Sequence, residues 1–281
     1  MSTVHAVRKG MNRILDGIMQ YRQALRPTLL EEFKKVAMGP SPEGLLLTCV
    51  DSRVVASRLT QAVPGQLFFV RNPGNLVPPY DYFEKNNIVG GECAALELAC
   101  SRNNVPVITV FGHSDCKAMN LLYRIRNEIS IPSKNPLDQW LKVHAKGTVE
   151  QFQKLESSGD FKRKLVFASA QHHEDDFEAY IDPNNEYKPS DKLSQVNTLE
   201  QMRHFLSYPF LKERLNRKEL QMSLVLTVHA LFSLSIMPSP ELVEYFLKVK
   251  DRKGLRVQFE YDRSILIGSL LKSNQHTAGR E

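Results

Sequence analysis

Cysteine is scarce: Cys49, Cys93, Cys100 and Cys116 are the four in 281 residues. So few thiols in a chain this long exclude a disulfide-stapled miniprotein, and each is expected to stay reduced as a core residue, a metal ligand or a nucleophile. Long apolar runs are missing too. None approaches the roughly 18 residues of a membrane span, so no membrane partner is expected. An excess of one charge sign is nearly absent, because 37 Lys and Arg against 31 Asp and Glu leave a net charge of only +6. The basic residues (Arg8, Lys9, Lys34, Lys35, Lys162, Arg163, Lys164) are scattered without aromatic interleaving, so nucleic acid is not an expected partner. Repeats and low-complexity tracts are also lacking. The first thirty residues have their apolar positions interrupted by charges, unlike the continuous core of a secretory signal. A protein of the cytoplasm or the mitochondrial matrix, not a secreted one, is therefore expected; Asp16 is the one acid before Glu31, which keeps a matrix address open.

What is present is ordinary globular composition, with 42% hydrophobic residues to build a core. Val7, Met11, Ile14, Leu15, Ile18, Met19 and Leu25 recur at helical spacing; Pro27 interrupts them, and Leu29, Leu30, Phe33 and Val36 continue as a second helix. Gly39-Pro40-Ser41-Pro42 ends this helical arm of residues 1–38. A β/α alternation follows. The continuous apolar run Leu45 to Val50 reads as a strand buried on both faces, with a short helix over Val54 to Gln61. A strand over Leu67 to Val70, a helix over Val89 to Arg102 and a strand over Val105 to Phe111 complete a β-α-β-α-β order. That order predicts an α/β fold whose central, mainly parallel β-sheet is flanked by helices.

One domain is expected over residues 1–281: the arm, a core over 39–126, a helical and loop insertion over 127–192, C-terminal helices and strands over 193–270, and a frayed tail over 271–281. Within it the patterns predict a helix from Val196 to Leu215 and strands over Ser223 to Phe232 and Leu255 to Tyr261. His172-His173-Glu174-Asp175-Asp176 lies in the polar insertion and reads as a solvated surface.

The chemistry gathers at two strand ends. The first strand finishes Cys49-Val50-Asp51-Ser52-Arg53, and the third finishes Gly112-His113-Ser114-Asp115-Cys116. Carboxyl ends of parallel strands border the ligand crevice of such folds. Two thiolates and one imidazole brought together there suit Zn²⁺, and three protein ligands leave a fourth position open. Asp51 can then accept a hydrogen bond from a water at the metal or bind the metal itself, and Arg53 can hold its carboxylate by a bidentate pair. A plain helix N-cap by Asp51 or Ser52 is the alternative. Cys93 and Cys100, seven apart among Ala94, Leu96 and Leu98, read as core.

Cys-x-Asp-x-Arg paired with His-x-x-Cys resembles the zinc signature of the β-class carbonic anhydrases. Pro64-Gly65 ahead of Phe68-Phe69-Val70-Arg71-Asn72-Pro73-Gly74-Asn75 resembles the family's strand and turn, Glu97 its following helix, and Val196-Asn197, Leu199 and Gln201 its later helix. Lys117-Ala118-Met119-Asn120 and the arm look most like the animal (invertebrate) branch. The resemblance implies that Cys49, His113 and Cys116 bind one Zn²⁺ per subunit, that Asp51 and Arg53 are the catalytic dyad, and that Phe68 and Leu98 line the substrate pocket. Leu98 stands where the plant type has Tyr, Pro40 where it has Gln, and Lys117 where many members have Gly. Leu46 replaces the Trp of a bicarbonate-regulated subgroup. The implied reaction is reversible hydration of carbon dioxide to bicarbonate and a proton by zinc-bound hydroxide, in a homodimer or dimer of dimers built through the arm. Two alternatives stay open: a non-catalytic zinc-stabilised assembly or binding protein, and hydrolysis of carbonyl sulfide or carbon disulfide on the same site. Two thiolates cancel the formal charge of Zn²⁺, so its water should titrate above the value of about 7 found with three imidazoles.

Overall fold

The computed structural model describes residues 3–86, 90–159, 164–168, 176–182, 185–227, 255–262 and 265–272. The chain forms two compact units, residues 1–42 with 57–67 and residues 43–56 with 68–281.

The first unit holds the arm. Helix α1 (Thr3–Gln20) runs through a π-helical turn (Tyr21–Leu25) into α2 (Arg26–Thr28) and α3 (Leu30–Met38). Pro27 sits in the first turn of α2, where a missing N–H leaves no hydrogen bond unmade. The apolar stripe that predicted α1 stays in solvent: Val7, Met11, Ile14 and Ile18 are each more than half exposed, Val7 at 66%. Gly65 has φ +89, and a Cβ there would run into the side chain of Val36. Only glycine suits that turn.

The second unit begins with β1 (Gly44–Cys49), all six of whose residues are buried, as a strand covered on both faces requires. Helix α4 (Ala56–Leu59) carries the chain between the units. There follow β2 (Leu67–Asn72), α5 (Tyr80–Asn86), α6 (Gly91–Leu96) prolonged by a π-helical segment (Glu97–Arg102), and β3 (Val107–His113). Next come α7 (Lys117–Ile125), α8 (Pro136–His144), α9 (Lys146–Ser158), and a small antiparallel pair, β4 (Leu165–Phe167) and β5 (Phe177–Ala179), inside the stretch expected to hold only helices and loops. Helices α10 (Pro189–Leu206) and α11 (Pro209–Asn216) lead to β6 (Gln221–Thr227), β7 (Leu255–Asp262) and β8 (Ile265–Lys272).

The main sheet has the order β2-β1-β3-β6-β8-β7. Its β1–β3 and β3–β6 ladders are parallel, while β8 is antiparallel to both β6 and β7. The predicted α/β architecture is therefore present, with one more late strand than the sequence reading contained. The predicted Val196–Leu215 helix is two helices, because Pro209 drives the preceding Tyr208 into an extended conformation and ends the run. Helix α10 also starts earlier, at Pro189, and is buried nearly all round despite carrying Asp191, Lys192 and Glu200. Residues 228–232, the 273–281 stretch and His172–Asp175 lie outside the described residues. No described helix is long and apolar enough to cross a membrane.

Candidate metal centre

Cys49 and His113 are the last residues of two neighbouring parallel strands, whose register pairs Thr48 with Phe111. Pairing therefore brings the two residues to the same end of the sheet. The Ser114-Asp115 turn then reverses the chain, with Asp115 at φ +48, and sets Cys116 at the N-cap of α7. Asp and Asn tolerate that left-handed conformation better than most residues. The ligand atoms of Cys49, His113 and Cys116 all lie within 4.8 Å of one another, and all three residues are buried.

The donor set fits zinc. The two sulfurs are 3.8 Å apart. A tetrahedral ion about 2.3 Å from each sulfur requires a separation of about 3.8 Å. His113 Nδ1 lies 2.9 Å from the Ser114 carbonyl oxygen, which only accepts, so Nδ1 carries the proton and Nε2 keeps the ligating lone pair.

The thiols are poised unequally. The contact with the Cys116 sulfur lowers the Cys49 thiol against the effect of burial, and the backbone N–H groups of Gly74 and Asp51 help. The same contact, with burial, pushes Cys116 up, although the Met119 and Ala118 amides at the start of α7 oppose it. The contact thus favours one thiolate beside one thiol over two of either. Gly74 can donate to Cys49 because it has φ +87 and no side chain; a Cβ would stand 2.8 Å from Met119 Cε.

Other elements hold these groups in place. Asn72 Nδ2 donates to the Leu76 carbonyl at 2.6 Å, and Leu76 N–H returns to Asn72 Oδ1 at 2.8 Å. From α10, Asn197 Nδ2 donates to the Gly74 carbonyl (2.8 Å) and Ser194 Oγ to the His113 carbonyl (2.7 Å).

Arg53 meets Asp51 edge to edge, Nε to Oδ1 at 2.9 Å and Nη2 to Oδ2 at 2.7 Å. The Arg53 amide adds a third bond to Oδ1 at 3.0 Å. These bonds hold the Asp51 carboxyl well below the usual carboxylate range and raise Arg53. Arg71 fixes the backbone beneath, donating to the carbonyls of Cys49 (3.0 Å) and Asp51 (2.9 Å).

The far side of Arg53 is engaged as well. Nη1 reaches Asp115 Oδ2 at 2.8 Å, and Nη2 reaches the Asp115 carbonyl at 2.8 Å. Phe68 is half-buried on β2 against the main core, whereas Leu98 is 50% exposed on the π-helical segment. Cys93 and Cys100 are buried in the core as expected, and burial pushes Cys100 up to about 12. Sequence reading missed the tethers from α10 and the second grip on Arg53. Asp115 lay inside the quoted motif, but nothing local marked it as a partner for Arg53.

The carbonic anhydrase family model matches residues 44–231. Over 219 residues the chain is 38% identical to beta carbonic anhydrase 1 of Caenorhabditis briggsae, covering 75% of this chain and 79% of the relative. Among solved structures, the β-carbonic anhydrase CcaA superposes with a TM-score of 0.60 at 27% identity, over 78% of this chain and 84% of that one. One of the two tetrameric β-carbonic anhydrases of Sordaria macrospora gives 0.50 at 19% identity, over 81% and 93% of the two chains, a likeness of fold.

Proposed function

The chain belongs to the β-carbonic anhydrase family, and on that footing we propose that it catalyses the reversible, zinc-dependent hydration of carbon dioxide to bicarbonate and a proton at Cys49, His113 and Cys116. Three donor atoms converging within 4.8 Å, next to an ion-paired carboxylate, carry this proposal. A zinc ion bound there supplies Lewis acidity, which makes hydroxide available near neutral pH. Three protein ligands, one fewer than a structural zinc takes, suit a catalytic site.

Asp51 stays ionised and therefore only accepts hydrogen bonds. It takes the O–H of the attacking nucleophile and so aims a lone pair at the carbon. Arg53 occupies both carboxylate oxygens and keeps Asp51 from becoming a fourth ligand. Carbon dioxide is apolar and needs a dry wall, a role given to Phe68 and Leu98. The proton produced leaves to buffer.

Stopped-flow carbon dioxide hydration from pH 6 to 9, on protein holding one zinc per chain, tests the activity. Turnover rising toward alkaline pH is expected; fully loaded protein no faster than buffer overturns it. Carbonyl sulfide and carbon disulfide in the same assay rank the alternative substrates.

Because the sulfur contact favours one thiolate before any metal binds, zinc binding to the metal-free protein at pH 7 is expected to release fewer than the about two protons that two ordinary thiols near pKa 8.5 release. Calorimetry in buffers of different ionisation enthalpy reads that number. Two protons per zinc would contradict the shared-proton pair.

The arm is assigned to subunit assembly. An exposed apolar stripe as long as that of α1 is buried by a partner, and a second copy of this chain is the partner proposed. Removing residues 1–38 should lower the mass seen by light scattering or leave the protein insoluble; a soluble variant of unchanged oligomeric mass would refute this. Four reduced thiols suit the cytoplasm or mitochondrial matrix, which microscopy of a tagged full-length chain distinguishes.

A further inference from the structure

We infer that Asp115 is a positioning residue that holds Arg53, and through it Asp51, in the open arrangement; this rests on the function proposed above. A guanidinium has five N–H donors in a rigid plane. Two of those of Arg53 face the Asp51 carboxylate, and the outer edge is held by Asp115 Oδ2 and the Asp115 carbonyl, each at 2.8 Å. With Asp51 alone, the guanidinium would be fixed along one edge only, and the Arg53 amide restrains just one oxygen of the carboxylate it holds. A second anchor on a different strand end removes that freedom.

Asp115 is itself held from two directions. Asn120 Nδ2 donates to its Oδ1 at 3.1 Å, and its backbone N–H donates to Asp191 Oδ1 at 2.6 Å. The anchor therefore stands on α7 and α10 and does not depend on the loop that carries Asp51. Its left-handed φ of +48 turns the side chain of a residue next to the ligand Cys116 back across to Arg53. The residue between a histidine and a cysteine ligand would in this way act on the dyad and not on the metal.

The test uses full-length protein loaded with Co²⁺, whose visible spectrum responds when azide enters an open coordination position. Asp115→Gly keeps the turn, because glycine accepts positive φ, but deletes the carboxylate; Asp115→Asn keeps both the turn and an acceptor. The glycine variant is expected to hold one cobalt per chain yet bind azide about 10-fold more weakly, with a comparable fall in kcat, as Asp51 moves onto the metal. The asparagine variant should recover most of that loss. In an Asp51→Ala background the glycine change should add nothing, since Asp115 acts through Asp51. Unchanged azide affinity in Asp115→Gly, no recovery in Asp115→Asn, or a full effect without Asp51 would each overturn the assignment. If Asp115→Gly does not fold, Asn120→Ala probes the same anchor from α7, and unchanged azide affinity there overturns it. Wild-type protein that binds cobalt and azide but does not hydrate carbon dioxide would end the functional proposal and leave the azide comparison valid.

Discussion

Cys49→Ser, Cys116→Ser and His113→Ala are each expected to lose most of their zinc and all measurable carbon dioxide hydration. The three residues supply the whole protein donor set found among the described residues, so each change leaves two ligands where tight binding needs at least three. A serine hydroxyl replaces sulfur with little change in shape but is a far weaker ligand at neutral pH than a thiolate. Because disturbing groups one shell farther out costs about 10- to 100-fold in metal affinity, removing a ligand should cost at least about 100-fold. The N–H groups of Gly74, Asp51, Ala118 and Met119 that favour the two thiolates would remain in place. The fold should therefore survive, and circular dichroism separates metal loss from unfolding. Elemental analysis after dialysis against a chelator gives the zinc content. A variant retaining one zinc per chain and the full rate would remove that residue from the site.

Asp51→Asn should keep zinc and lose at least about 100-fold in kcat. An amide presents one oxygen where the carboxylate presents two, so one Arg53 donor now faces an N–H, and the side chain can donate to the nucleophile it should only accept from. An unchanged rate would reduce Asp51 to a turn residue. Arg53→Ala is the complementary change: it removes both side-chain hydrogen bonds from Asp51 and leaves only that of the backbone amide, and the carboxylate is then expected on the metal, read as a lost spectral response to azide in the cobalt protein.

The sign of the pH effect follows from the same contacts. The folded value of Asp51 lies below its ordinary value near 3.9, so its contribution to stability is complete above that value and is lost as pH falls through the folded value. Across pH 5 to 9 Asp51 should not titrate, and any inflection of kcat/KM in that window belongs to another group.

Much of this protein was legible in local pattern. The unbroken apolar run of β1, the β-α-β-α-β order and the two short motifs predicted a mainly parallel sheet with Cys49, His113 and Cys116 at its carboxyl edge. Each of these features is written within a few consecutive residues, so strand period and turn chemistry suffice to read it. Asp51 and Arg53 were legible for the same reason, being two positions apart.

The supports of the site were not legible. Helix α10 is buried nearly all round; its apolar spacing reveals a helix from Val196 on but not that the polar side is covered too, so its Asp191, Lys192 and Glu200 look like surface residues in the sequence. The buried pairing of Lys192 with Asp182 at 3.2 Å makes such burial tolerable, and only the folded chain contains that pair. The bonds from α10 to the metal turn join residues 76 apart for Asp191 with Asp115 and 123 apart for Asn197 with Gly74. By itself the sequence determined the candidate donor set, the Asp51–Arg53 pair and the class of sheet, because each depends on neighbours along the chain. Only the tertiary structure decided which buried polar groups brace them, since a hydrogen bond between distant residues depends on where packing delivers its donor and acceptor, which no local period encodes.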